Sequence, residues 1–380
     1  MIIGLIGKPS AGKSSFFKAA TMIDVKTSSV PFTTINPNKG VAYVTIDCIC
    51  KEFNTTCKPK HGVCKNGKRY IPVNLVDVGG LIPGSHLGKG IGNKFLDDIR
   101  QASVMIQIID ASGMTDEEGK PTENFDPTKE IEFLREEIDL WFESVVKRNI
   151  EKLKLPSSES DLIVLLQEKL SGLGVTRNEV SQTLQKYTIE DMENFSKELR
   201  RISKPFIIAA NKIDLKPSQE NYEKLKKDYS NMIPTSAESE IALKKADEKY
   251  LIKYNGNSFE IVGELDSARK VGLEYIKSQV LDKFNSTGVQ ECLNKSVFDI
   301  LNYIAVYPVA DANKLTDKDG NKLPDVILVP NGTTMKEFAF KVHTELGNKF
   351  ITGVDARTKL RLGADHQLKH KDVVSIVFGK

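Results

Sequence analysis

A run near the start of the chain, Gly7-Lys8-Pro9-Ser10-Ala11-Gly12-Lys13-Ser14, fits the pattern G-x-x-x-x-G-K-[ST]. Glycines let the backbone wrap closely around an anion. Successive N–H groups of such a turn form a nest for it, and the helix that follows adds its positive end. Lys13 supplies a point charge to the β- and γ-phosphates of a nucleotide. Ser14 supplies a hydroxyl ligand to Mg²⁺, which prefers oxygen donors. We expect Lys8, Pro9, Ser10, Ala11, Gly12, Lys13, Ser14 and Ser15 to cradle the phosphates, with Lys13 stabilising charge that develops there.

Three later segments narrow the chemistry. Asp77-Val78-Gly79-Gly80 can place one carboxylate on Mg²⁺ through a water and one free backbone N–H, that of Gly80, on the γ-phosphate. Asn211-Lys212-Ile213-Asp214 can select guanine, because the Asp214 carboxylate accepts from N1–H and the exocyclic amine, which adenine does not offer in that arrangement. Asn211 would brace base and phosphate turn, and Lys212 would lay its stem along the purine. In Ser236-Ala237-Glu238 the Ala237 N–H can meet guanine O6. Between turn and Asp77 lies Pro31-Phe32-Thr33-Thr34-Ile35-Asn36-Pro37, where either threonine can reach Mg²⁺ and the γ-phosphate.

These segments need a scaffold that delivers them to one place. Residues 1–6, Tyr43–Cys50, Val73–Val76, Val104–Ile109 and Phe206–Ala210 read as strands, with Met232–Pro234 a last short one. Helical patterns separate them, beginning with Lys13–Ala20, so the expected class is α/β with a mostly parallel sheet covered on both faces. Residues 127–200 break the rhythm. Ile131, Leu134, Ile138, Trp141 and Val145 form one apolar helical stripe, and the segment carries a net charge of −4. It reads as a helical insertion with solvated outer faces. A second helical stretch is expected from Glu240 to about Ile300. From Ala305 the chain changes again: strands at Val326–Val329 and Val373–Val377 flank a helix at Met335–Leu346, a small α+β domain with a mixed sheet. The expected domains are 1–304 and 305–380.

Taken in order, the segments resemble the translation-factor-like GTPases of the Obg family, most closely the YchF branch in its archaeal form. The carrying residues are Gly7–Ser14, Pro31–Asn38, Asp77–Leu81 and the run Gly88-Lys89-Gly90-Ile91-Gly92-Asn93-Lys94-Phe95-Leu96. The tail resembles the ubiquitin-like TGS domain, which recurs in threonyl-tRNA synthetases and stringent-response enzymes. The resemblance implies a P-loop GTPase with an inserted helical domain. It favours Thr34 as the switch threonine, so that Ser14, Thr34 and Asp77 would hold Mg²⁺, and it makes Lys13, Thr34 and Gly80 the groups acting on the γ-phosphate. It implies association with the ribosome or another RNA-containing complex in translation or stress response. Several YchF members prefer ATP, but retention of Asn211–Asp214 points to GTP. Ser10 replaces an asparagine that helps some relatives hold K⁺, which weighs against potassium stimulation. Leu81 stands where small GTPases carry the glutamine that aims water, so hydrolysis is expected to be slow, roughly 10⁻⁴–10⁻² s⁻¹. His86 reads as a loop residue. A nucleotide-dependent scaffold with incidental turnover, or an ATP-using P-loop enzyme, is the alternative.

The remaining features set bounds. With 54 Lys+Arg against 51 Asp+Glu, total charge gives no reason to expect DNA binding. The tail segment 341–372 carries a net +3 that could face RNA phosphates, without the aromatic interleaving of a base-stacking platform. No leader pattern or long apolar run is seen, which reads as cytoplasmic and without a membrane partner. Cys48, Cys50, Cys57 and Cys64 could be ordinary or redox-active thiols, disulfides or a zinc site. The spacing C-x-C-x₆-C-x₆-C is not a paired C-x₂-C ribbon, so zinc is the least favoured of these. Cys292 reads as core.

Overall fold

The computed structural model describes residues 1–22, 38–87, 98–151, 153, 154, 156 and 158–379. They gather into two compact units. One takes residues 1–22 and 38–42 together with Asn74–Ser296; the other takes Tyr43–Val73 and the chain from Val297 onward.

The main sheet has seven strands: β1 (Ile2–Ile6), β2 (Lys39–Asp47), β3 (Val63–Lys65), β4 (Lys68–Asp77), β5 (Val104–Asp110), β6 (Phe206–Asn211) and β7 (Met232–Pro234). Their order is β2-β4-β1-β5-β6-β7, with β3 paired on β4. β4, β1, β5, β6 and β7 run parallel, as expected for apolar runs separated by helices. Every residue of β5 and β6 is buried, as strands covered on both faces require. The register pairs Leu5 with Asp77 and Asp110 with Asn211, so the carboxyl ends of four strands come out along one edge. That edge is where open parallel sheets bind their ligands.

The insertion is helical throughout its regular parts: Pro127–Ile150, Glu159–Lys169, Arg177–Leu184 and Met192–Ser203. The first helix starts cleanly because Asp126 accepts from the Thr128 N–H and Pro127 takes the first helical position. The third carries a capping box between Thr176 and Glu179. Leu134, Ile138, Trp141, Phe142 and Val146 pack with Ile6, Val76, Val78 and Leu81 in one core. The buried face is wider than the stripe read from sequence: Phe142 and Val146 are buried, and Val145 is only partly so.

The interval 240–300 is not helical throughout. After the helix Ala237–Glu248 a two-stranded hairpin intervenes, β8 (Ile252–Tyr254) and β9 (Phe259–Ile261). The Asn255 side chain accepts from the N–H groups of Asn257 and Ser258, and Gly256 takes a φ of 100°. This is turn chemistry that overrides the surrounding helical pattern. Helices resume at Ser267–Ile276 and Val289–Lys295.

In the second unit, β10 (Tyr303–Val309), β11 (Ile327–Pro330), β12 (Phe350–Asp355), β13 (Arg361–Leu362) and β14 (Val373–Phe378) form a mixed sheet in the order β11-β10-β14-β12-β13. Only the β10–β14 pair is parallel. The helix after β11 begins in a capping box between Thr334 and Glu337 and breaks at His343, whose extended backbone splits it into Met335–Val342 and Thr344–Asn348. A boundary at 304/305 falls inside β10; the compact unit begins at Val297 and includes Tyr43–Val73. Among the described residues no helix is long and apolar enough to cross a membrane.

The insertion core makes a direct stability prediction. Phe142 is fully buried, so Phe142→Ala should cost about 3–5 kcal/mol in thermal or denaturant unfolding. Its near neighbour Leu140 is 36% exposed, and Leu140→Ala should stay within about 0.5 kcal/mol of the parent.

Candidate nucleotide site

The turn after β1 is closed from within. Lys13 Nζ donates to Lys8 O across the loop at 2.7 Å. Burial lowers the Lys13 pKa, and the carboxylates of Asp77 and Glu130 oppose that shift. Gly12 sits at φ 99°, and a Cβ there would lie 2.1 Å from Asn211 Nδ2. Both backbone conformation and space therefore demand glycine. Ser14 Oγ lies 3.4 Å from Asp77 Oδ2, towards which it donates. Asp77 Oδ1 is buried and, among the described residues, has no hydrogen-bond partner. Burial raises the Asp77 pKa while Lys13 and Ser14 hold it down.

The second half of the site is tied to the first by Asn211. Its Nδ2 donates to Ala11 O at 2.9 Å, and its Oδ1 accepts from the Ala237 N–H at 3.2 Å. Ser236 caps the helix Ala237–Glu248 and donates to Asp214 Oδ1 at 2.7 Å. Ser15 Oγ donates to Glu238 Oε1 at 2.5 Å. Lys212, at φ 63°, donates to Asp110 Oδ2 at 2.8 Å. Between these halves opens a cavity of about 480 Å³. Ser10, Gly12, Lys13, Ser14 and Ser15 line one end; Asn211, Lys212, Asp214, Ser236, Ala237 and Glu238 line the other. The volume falls in the range of small-ligand sites.

Three residues expected at the phosphates do not line the cavity. Lys8 is fully buried with its side chain elsewhere: Nζ lies 3.2 Å from Glu130 Oε2 and donates to the carbonyls of Thr115 and Asp116. Its contribution to the turn is its carbonyl. Ala11 likewise offers its carbonyl, to Asn211. Pro9 lies against Gly80, where an added Cβ would come 3.2 Å from Pro9 Cγ. Thr33, Thr34 and the run Gly88–Leu96 lie outside the described residues. Leu81 is 1% exposed, its side chain in the core and its N–H donating to Gly7 O. Cys292 is core.

Sequence reading missed three carboxylates. Asp110 ends β5 and accepts from Ser112, Thr115 and Lys212; burial pushes its pKa up, but these bonds leave it below the usual range. An aspartate closing an apolar strand was a visible signal. Glu130 and Glu137 lie seven positions apart on the helix Pro127–Ile150, whose outer faces read in sequence as solvated. Glu130 is fully buried and accepts from Lys8 and the Asp110 N–H. Glu137 accepts from the N–H groups of Gly84 and His86, at 2.6 and 2.8 Å, and pairs with His86 Nδ1 at 2.7 Å. Burial opposes ionisation of Glu137, yet those amides hold its carboxyl below the ordinary range. His86 is thus anchored by an insertion helix.

Fold, glycine turn and two-ended cavity define a P-loop nucleotide-binding protein. Comparison with known proteins gives the family. Residues 2–144 match the profile described as 50S ribosome-binding GTPase, residues 209–311 that of the Obg-like GTPase YGR210-like G4 motif-containing domain, and residues 315–378 the TGS domain. The chain is 48% identical to a GTP-binding protein of Methanocaldococcus jannaschii over 99% of its own length and 98% of the relative's. It is 36% identical to a GTP-binding protein of Schizosaccharomyces pombe over 88% of each. A crystal structure of a GTP-binding protein from Pyrococcus horikoshii OT3 aligns over all of both chains, with 38% identity and a TM-score of 0.76. The structure of the Schizosaccharomyces pombe YchF GTPase shares the fold at 18% identity and a TM-score of 0.60, covering 99% and 97%. The chain belongs to the Obg-like GTPases, in the YGR210-like subfamily, and carries a C-terminal TGS domain.

The buried Glu130 gives a pH prediction. Burial pushes its pKa from 4.5 up to about 7, against the pull of Lys8. The folded protein then holds this proton more tightly than the unfolded chain. Its contribution to stability is greatest below 4.5 and is lost as pH rises to about 7. Melting temperatures across that interval should fall less steeply for Glu130→Gln than for the parent.

Proposed function

We propose that the chain is a slow, Mg²⁺-dependent GTP switch that acts in the cytoplasm on a ribosomal or other RNA-containing partner. The observation that carries this reading is one cavity that has Lys13 and Ser14 at one end and the Asp214 carboxylate at the other, held together by Asn211. Asp214 would accept from the guanine N1–H and amine, and the Ala237 N–H, which here donates to Asn211 Oδ1, would turn to O6. Ser14 and Asp77, whose Oδ1 is a buried acceptor without a partner among the described residues, suit a hard oxygen-seeking cation. They would hold Mg²⁺ with Thr34, and the metal would neutralise phosphate charge. Lys13 and the Gly80 N–H act on the γ-phosphate.

Leu81 faces the core, so its side chain has no part in aiming water, which supports a slow intrinsic rate. The loop that follows Gly80 is pinned to the insertion by Glu137. A shift of that loop with nucleotide state is thereby passed to the helix Pro127–Ile150. The ribosomal partner rests on the names of relatives, among them a ribosome-binding ATPase of Bacillus subtilis at 29% identity, and on the TGS tail.

Sedimentation with ribosomes tests the switch. Pelleting should be strong with a non-hydrolysable GTP analogue, weaker with GDP and different again without nucleotide. Glu137→Ala should keep its GTP affinity yet pellet with little regard to nucleotide. Equal pelleting of the parent in all three states would contradict the proposal.

A further inference from the structure

The second compact unit holds a feature the nucleotide chemistry does not use. Cys48, Cys50, Cys57 and Cys64 bring their four sulfurs within 4.8 Å of one another. The Cys48–Cys57 and Cys50–Cys64 sulfurs are 3.8 and 3.9 Å apart. All four are free thiols, and these separations are far beyond the ~2.05 Å of a disulfide. Four thiolates around one zinc ion at about 2.3 Å in tetrahedral array stand about 3.8 Å from each other.

We propose that these four cysteines hold one structural zinc ion as a closed tetrathiolate site. The local chain gives a reason for it. Between β2 and β3 the chain makes turns and bends with no helix or strand, and Cys48, Cys50 and Cys57 are buried there. Such a segment has little apolar core of its own, and a metal that binds only the folded form stabilises it directly. Backbone bonds already preset the ligand loops: the Cys48 N–H donates to Gly67 O, and the Thr55 N–H to Cys50 O. A hydrogen-bond donor stands beside the sulfurs as well. The buried Tyr307 hydroxyl lies 3.9 Å from Cys48 Sγ, placed to donate to a thiolate. Lys51, Lys58 and Lys65 lie on the same stretch of sequence, and their positive charges suit a site with a net negative one. Four sulfur ligands, with no oxygen or nitrogen donor in the set, select a soft tetrahedral ion, and zinc meets that preference without redox chemistry. The C-x-C-x₆-C-x₆-C spacing concealed the site because its ligands come from just past the end of β2, from an irregular loop and from β3 rather than from two knuckles.

Metal analysis of the full-length protein, purified without chelator from zinc-supplemented medium, tests the assignment. Elemental analysis should find one zinc per chain, released in step with titration of four thiols by a mercurial reagent. Cobalt reconstitution of the parent should give the intense visible bands of a tetrahedral tetrathiolate. Cys57→Ser should lose zinc, and Cys292→Ser, which changes a buried cysteine outside the cluster, should retain it all. Zinc well below one per chain with four thiols freely reactive would overturn the proposal. So would iron in its place, or a mass showing the cluster oxidised to disulfides.

Discussion

A single side-chain amide fixes the geometry of the nucleotide cavity. Asn211 leaves the end of β6, donates to the carbonyl of Ala11 in the phosphate turn and accepts from the N–H of Ala237 at the base end. Each bond is worth only about 1 kcal/mol net, so its importance is positional rather than energetic. It holds the two recognition segments at a constant separation, and that separation decides whether one ligand can touch both. The constraint propagates. Gly12 must be glycine because the amide occupies the space a Cβ would need. Ser236 must cap its helix so that Ala237 presents its N–H to the amide. β5 and β6 must pair in the register that sets Asp110 opposite Asn211.

Behind the turn stands a buried set of charges: Lys8 with Glu130, and Asp110 with Lys212. Moving ions out of water carries a large penalty, which hydrogen bonds offset for Asp110 and offset only in part for Glu130, whose pKa burial still raises. Lys8 has two carbonyls besides its carboxylate, and Asp110 has two hydroxyls besides its ammonium. The arrangement makes a stiff back wall for a loop that must receive several negative charges. Glu130 links that wall to the insertion helix, and Glu137 on the same helix grips the loop after Gly80. One helix is thus anchored both to the wall behind the phosphate turn and to the loop after Gly80.

Much of this was legible in the sequence. The glycine turn, the apolar runs and the Asn211–Asp214 segment identify the sheet and both ends of the cavity, because backbone conformation and base chemistry permit few residue types there. Less visible was anything that depends on what a charged residue faces. Glu130 and Glu137 carry the same local pattern as the solvated glutamates beside them, and only the packing of their helix decides otherwise. Lys8 sits inside the phosphate motif, yet its side chain serves the wall behind it. The hairpin at Ile252–Ile261 was missed because its strands are three residues each, too short for a period to emerge. The grouping of Tyr43–Val73 with the tail joins segments far apart in sequence, which no local signal records.

A GTP switch of the kind proposed needs one cavity to recognise guanine and triphosphate together. Calorimetric titration of the intact protein with GTP and with ATP, each in Mg²⁺, measures that recognition. GTP should bind about 100-fold or more tightly than ATP, since adenine offers the Asp214 carboxylate neither an N1–H nor a 2-amino donor. Equal affinities for the two nucleotides, or binding of neither, would contradict it.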